Sequence, residues 1–134
     1  MRATAIAAIT AATFVSHAAV AVKRHASIPE SLRGSWAPST EACQSADKSI
    51  IIVSAKTYTS SEANCTVGWV TVTAAARGPM YSAHLQCSKP EETTRTQSDV
   101  IFYPKDNNQI SIGSRLGDLK DYHRCSAREP ATTR

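Results

Sequence analysis

The sequence predicts an all-β protein: a small antiparallel meander barrel of about eight strands, entered through a short helical turn and held by two disulfides. Three observations lead there. Short runs rich in β-branched and aromatic residues alternate with Gly, Pro, Asn and Asp clusters. Four cysteines, an even number, are spread along the chain. No stretch carries the spacing of a long amphipathic helix.

At the N-terminus, Met1-Arg2 precedes an uncharged run from Ala3 to Val15, the pattern of a basic n-region and an apolar h-region. Ala19-Val20-Ala21 supplies the small side chains of a cleavage site after Ala21, and Ser16-His17-Ala18 offers a second. An uncleaved anchor is the other reading, but Ser16 and His17 interrupt the run before the roughly 18 residues needed to cross a bilayer. Lys23 and Arg24 just beyond the site oppose translocation. The expected organisation is a signal peptide over 1–21, a flexible lead over 22–30, one barrel domain over 31–126 and a disordered tail over 127–134. The expected location is periplasmic or secreted, with no membrane span once the leader is removed.

Removing Arg2 with that leader lowers the net charge from +4 to +3. So mild a charge in an exported chain argues against nucleic acid as a partner. The expected partner is an unknown protein or a small apolar ligand, and the expected state is a monomer. Leu, Ile, Val and Phe make up only 18 of the residues from Val22 onward, so the core is thin and covalent support is expected.

The elements follow in order. Ser27-Ile28-Pro29-Glu30 reads as a cap and a Pro opening a helical turn that ends near Leu32-Arg33-Gly34. A first strand starts around Ser35-Trp36. Ile50 to Val53 and Thr57-Tyr58-Thr59 form a hairpin across a tight connection at Lys56. Later strands are expected over Thr94 to Tyr103, Gln109 to Gly113 and Asp121 to Cys125, separated by Pro104 to Asn108 and by Gly117-Asp118.

Between them, a hairpin centred on Ala76 would set Cys65 opposite Cys87, Val67 opposite Leu85, Trp69 opposite Ala83 and Thr71 opposite Tyr81. The alternate face would pair Thr66 with Gln86, Gly68 with His84 and Val70 with Ser82. Both cysteines then share the apolar face, and a slip of one residue would turn every side chain over. This predicts Cys65–Cys87 as one disulfide. Cys43–Cys125 is the other, joining the first loop to the last strand as a closed sheet would allow. The rival set is Cys43–Cys65 with Cys87–Cys125. In the chain-entropy model the two expected bridges contribute about 3 and about 4.5 kcal/mol.

Ile28-Pro29-Glu30-Ser31-Leu32-Arg33-Gly34-Ser35-Trp36, a helical turn leading into Gly-x-Trp, resembles the entry to lipocalin-like small barrels, including bacterial metalloprotease inhibitors of the Inh type. The wider pattern of Trp36, a following Cys43, a Tyr58 strand and three further cysteines resembles small exported proteins of unknown function from alphaproteobacteria. That resemblance implies a compartment and no activity. Ile112-Gly113-Ser114-Arg115 resembles the Ser-Gly-x-Arg loop of lysozyme inhibitors of the MliC type, with glycine and serine reversed and Leu116 where the aromatic stands. It implies Ser114 and Arg115 as contact residues, against a plain turn before the last strand.

No constellation for catalysis stands out. His25, His84 and His123 have no carboxylate or cysteine at ligand or triad spacing. There is no G-x-S-x-G elbow, Glu91-Glu92 point to opposite sides of a strand, and Gly113 to Gly117 lacks the lysine of a phosphate loop. The chain is read as no enzyme, with no cofactor or metal. Trp36 and Trp69 are both expected to fill the barrel interior, Trp36 with a ligand contact as its alternative role. The four tyrosines are read as ordinary strand residues. The functional expectation is a non-enzymatic binding or structural module of the cell envelope. The alternative is an inhibitor of a protease or lysozyme acting through Ser35 to Glu41 or Gly113 to Gly117.

Overall fold

The computed structural model describes residues 12–15, 23–45 and 48–125. Most of the expected signal peptide, its cleavage site and the expected tail over 127–134 lie outside the described residues. Among those described, no helix is long and apolar enough to cross a membrane.

Among the described residues nine strands are present: β1 (Arg24–His25), β2 (Gly34–Ala37), β3 (Ile51–Val53), β4 (Thr57–Thr59), β5 (Asn64–Ala75), β6 (Gly78–Ser88), β7 (Thr96–Pro104), β8 (Gln109–Gly113) and β9 (Lys120–Arg124). From β2 to β9 each pairs antiparallel with the next, and β9 returns to β2 through Trp36 opposite Arg124 and Ala37 opposite His123. That last pairing closes an eight-stranded barrel, the architecture the sequence predicts. Closure leaves the long β5 with part of one edge beyond the reach of short β4. There β1 pairs, setting Arg24 opposite Thr71 and His25 opposite Val70. Within the expected lead, Arg24–His25 thus form a strand rather than a flexible segment, and Ile28 is fully buried in the core, its amide donating to Ala55 O at 2.9 Å.

The helical turn falls at Glu30–Leu32, with Pro29 as its N-cap. A second short helix, α1 (Thr40–Gln44), was not legible as one. Ser39 caps it by accepting from Ala42 N at 3.2 Å, so the stretch Ser35 to Glu41 is strand end and helix start rather than a protruding loop. The bridges are Cys43–Cys125 and Cys65–Cys87, as expected, and the rival pairing is ruled out.

The central hairpin agrees with the predicted register at Cys65, Thr66 and Val67, then departs from it. Gly68 is the extra residue of a β-bulge, after which Trp69 faces His84, Val70 faces Ala83 and Thr71 faces Ser82. The turn is accordingly the two-residue Ala76-Arg77, closed by Ala75 opposite Gly78. One inserted residue moves the inward set on β5 from odd to even positions: Cys65 and Val67 point in, then Val70, which is fully buried. Trp69 is thereby turned to the outer wall, where it is 37% exposed, and it does not fill the interior. Its ring stacks on His84 at 4.6 Å and lies under the Arg24 guanidinium at 4.9 Å. His84 in turn holds Nδ1 at 2.7 Å from Asp99 Oδ1, a pairing the strand register creates and the sequence spacing hid.

Candidate functional site

An antiparallel meander sorts its connections alternately to the two ends. The floor end carries the turns after β3, β5 and β7 together with the entry segment before β2. The opposite end carries the connections after β2, β4, β6 and β8.

The floor is sealed by Trp36. Its indole is 1% exposed and donates through Nε1 to Leu32 O at 2.9 Å, so the helical turn is tied to the ring that it covers. The Arg124 guanidinium lies 4.2 Å over that ring and donates to Arg33 O and Ser31 O, both at 2.7 Å, and to Asn107 O at 2.9 Å. One planar fork thus links the entry turn, the last strand and the connection between β7 and β8. Gly34 has φ +131°, and a Cβ there would stand 3.0 Å from the Arg124 guanidinium, which explains the glycine of Gly-x-Trp in physical terms. A separate cleft of about 280 Å³ lies at this end, lined by Leu32, Trp36, Arg77, Tyr81, Asn107 and Ile110.

The mouth is open. A cavity of about 420 Å³ enters the barrel from that end and shares no lining residue with the floor cleft. Part of its wall is apolar, formed by Leu85, Val100, Ile112 and the Cys65–Cys87 disulfide, all buried. The disulfide sits there because the two cysteines are directly opposed on neighbouring strands with Cα atoms 4.0 Å apart. A single rung of the barrel, Tyr58 opposite Cys65, Cys65 opposite Cys87 and Cys87 opposite Thr96, then runs round this wall. Ser60, Glu62, Ser88, Lys89, Gln97 and Ser114 give the rim its polar groups.

Two phenols, Tyr58 and Tyr122, also line this cavity. Tyr58 packs edge-on against the fully buried Phe102, with ring centroids 6.1 Å apart. Burial pushes the Tyr58 pKa up to about 12, with Tyr122 and Glu62 adding to the rise. Tyr122 is raised by the same causes, burial first and then Glu62. Both therefore stay protonated and neutral at neutral pH, in a place where negative charge is disfavoured.

Of the residues singled out from sequence, Ser114 lines the mouth, and Arg115 is exposed beside it without lining the cavity. Trp36 lies at the other end, so the three do not form one site. Gly113 lets the loop they occupy fold back: a Cβ there would meet Asp118 O at 2.7 Å. Cys43–Cys125 is not among the mouth residues, whereas Cys65–Cys87 is part of the wall. Tyr58, Tyr122 and Glu62 were passed over in the sequence. The signal that could have found Tyr58 is its place one hairpin away from Cys65, since an inward cysteine makes its cross-strand partner inward too. Among the described residues, no group of three or more His, Cys, Asp or Glu side chains is placed to hold a metal ion. Set against known proteins, the chain matches no family model, no curated protein and no solved structure.

Proposed function

We propose that the protein is a non-enzymatic binding module that holds a small, partly apolar ligand in the mouth of its barrel. The observation that carries this reading is the cavity of about 420 Å³, within the range of about 300–1,000 Å³ usual for small-molecule sites. Its apolar wall and polar rim suit a ligand with an apolar body and a polar head. Because this cavity shares no lining residue with the floor cleft, the mouth is its way in. Two disulfides suit an oxidising compartment, which supports the expected export to the periplasm or beyond.

The test is titration of the purified protein with a neutral apolar fluorophore such as N-phenyl-1-naphthylamine. Ser98 lines the cavity opposite Leu85; saturable one-to-one binding is expected, and Ser98→Trp, which fills that space, is expected to abolish it. Binding that is absent, or that is indifferent to Ser98→Trp in a variant with unchanged circular dichroism, overturns the reading.

One observation favours a second reading, the protein inhibitor: Leu116 is 64% exposed beside Arg115 on the loop between β8 and β9. An exposed apolar side chain flanked by a cation on a rim loop is a plausible contact for another protein. Inhibition of a secreted protease or lysozyme that Arg115→Ala and Leu116→Ala both weaken would establish it. Full enzyme activity in molar excess of this protein, across a panel of such enzymes, would remove it.

A further inference from the structure

From the arrangement of Tyr58, Tyr122 and Glu62 at the mouth, we infer that the ligand head is an organic cation of the alkylammonium class, carried on an apolar tail. This rests on the mouth being the binding site. The rings of Tyr58 and Tyr122 and the Glu62 carboxylate border the same cavity. Ring faces attract a weakly hydrated cation, and most strongly where water is excluded. Glu62 supplies the counter-charge.

The other charged lining groups do not reverse this. Asp99, paired with His84 at 2.7 Å, is a second lining carboxylate, and Lys89, exposed as Glu62 is, is one cation against the two. Burial and the field of Glu62 both oppose a negative charge at Tyr58 and at Tyr122, so an anionic head placed there would meet the same opposition. A cationic head meets the same desolvation but is attracted by Glu62 and by the rings. The wall of Leu85, Val100, Ile112 and the disulfide then takes the tail.

The experiment is calorimetric titration with three probes of one tail length: octyltrimethylammonium, octanoate and 1-octanol, each below its aggregation concentration. The cation is expected to bind at least about tenfold more tightly than octanoate. Glu62→Gln, a change at an exposed loop residue that leaves the fold intact, is expected to weaken the cation about fivefold or more while leaving 1-octanol unchanged. Octanoate binding as tightly as the cation, or a cation affinity indifferent to Glu62→Gln, overturns the inference. If 1-octanol still binds and Ser98→Trp still blocks it, the mouth reading survives that result. If none of the three probes binds, the mouth reading falls and this inference with it.

Discussion

Replacing Arg124 by alanine removes a side chain that joins the entry turn, the last strand and the β7–β8 connection, and its cost follows from the contacts. Three carbonyls, those of Ser31, Arg33 and Asn107, lose a charged donor at 2.7–2.9 Å, and the Trp36 ring loses a cation 4.2 Å above it. The bond to Arg33 is partly buried and is assigned about 1.5 kcal/mol, the low end for a charged donor. The two exposed bonds contribute about 0.5 kcal/mol each, and the cation over the ring about 0.5–1 kcal/mol. The sum is about 3 kcal/mol, a large part of the 5–15 kcal/mol typical of a small domain. It should lower the thermal midpoint by more than about 10 °C. Arg124→Lys keeps the charge over the ring, but a single ammonium cannot serve three carbonyls on two segments, so about 2 kcal/mol is still expected to be lost. Urea unfolding of the disulfide-intact proteins, followed by circular dichroism and tryptophan fluorescence, measures both. A loss below about 1 kcal/mol for Arg124→Ala, or a lysine variant equal to the parent, would refute the view that this fork holds the floor.

Removing the bridges as Cys→Ala pairs should cost more for Cys43–Cys125, which spans 82 residues, than for Cys65–Cys87, which spans 22; about 4.5 against about 3 kcal/mol is expected, and the reverse order in urea midpoints would count against chain entropy as the source. Tyr58 holds its proton more tightly folded, at about 12, than unfolded, near 10. Its contribution is therefore complete below about pH 10 and is lost as pH rises toward 12, on the order of 2–3 kcal/mol in all. Tyr58→Phe should flatten that alkaline decline, and an unchanged slope would show that other groups cause it. Trp36→Ala, at a fully buried ring, should cost about 3–5 kcal/mol, whereas Trp69→Ala on the outer wall should cost about 1; similar losses in denaturation would contradict the bulge at Gly68.

Much of the fold was legible because its causes are local. The β-branched run at Ile51–Val53 and the turn residues Pro104 to Asn108 bring their own backbone preferences, and Pro29 opens the entry turn by its fixed φ. Even the disulfides could be read, because two cysteines on the apolar side of one hairpin leave the other two to meet where the sheet closes. The register beyond Gly68 was not legible. A glycine between Val67 and Trp69 fits an unbroken alternation as well as a bulge, and only the demand that Val70 enter the closed core chooses between them. For the same reason Trp69 read as core and stands outside. The site was less legible still, since Tyr122 lies 60 residues beyond Glu62 and joins it and Tyr58 only when β9 closes against the barrel.

By itself the sequence determined the all-β class, the order and rough bounds of the strands, the entry turn and the expectation of Cys65–Cys87, all of which depend on neighbours or on one hairpin; the structure decided against the rival pairing. Tertiary closure alone decided which end is sealed and which is open. Arg124 reaches Trp36 only because β9 pairs with β2, and that pairing, some 90 residues apart in the chain, also leaves the mouth cavity unfilled. Local preferences set how a segment bends, but the position of a void is set by every wall at once.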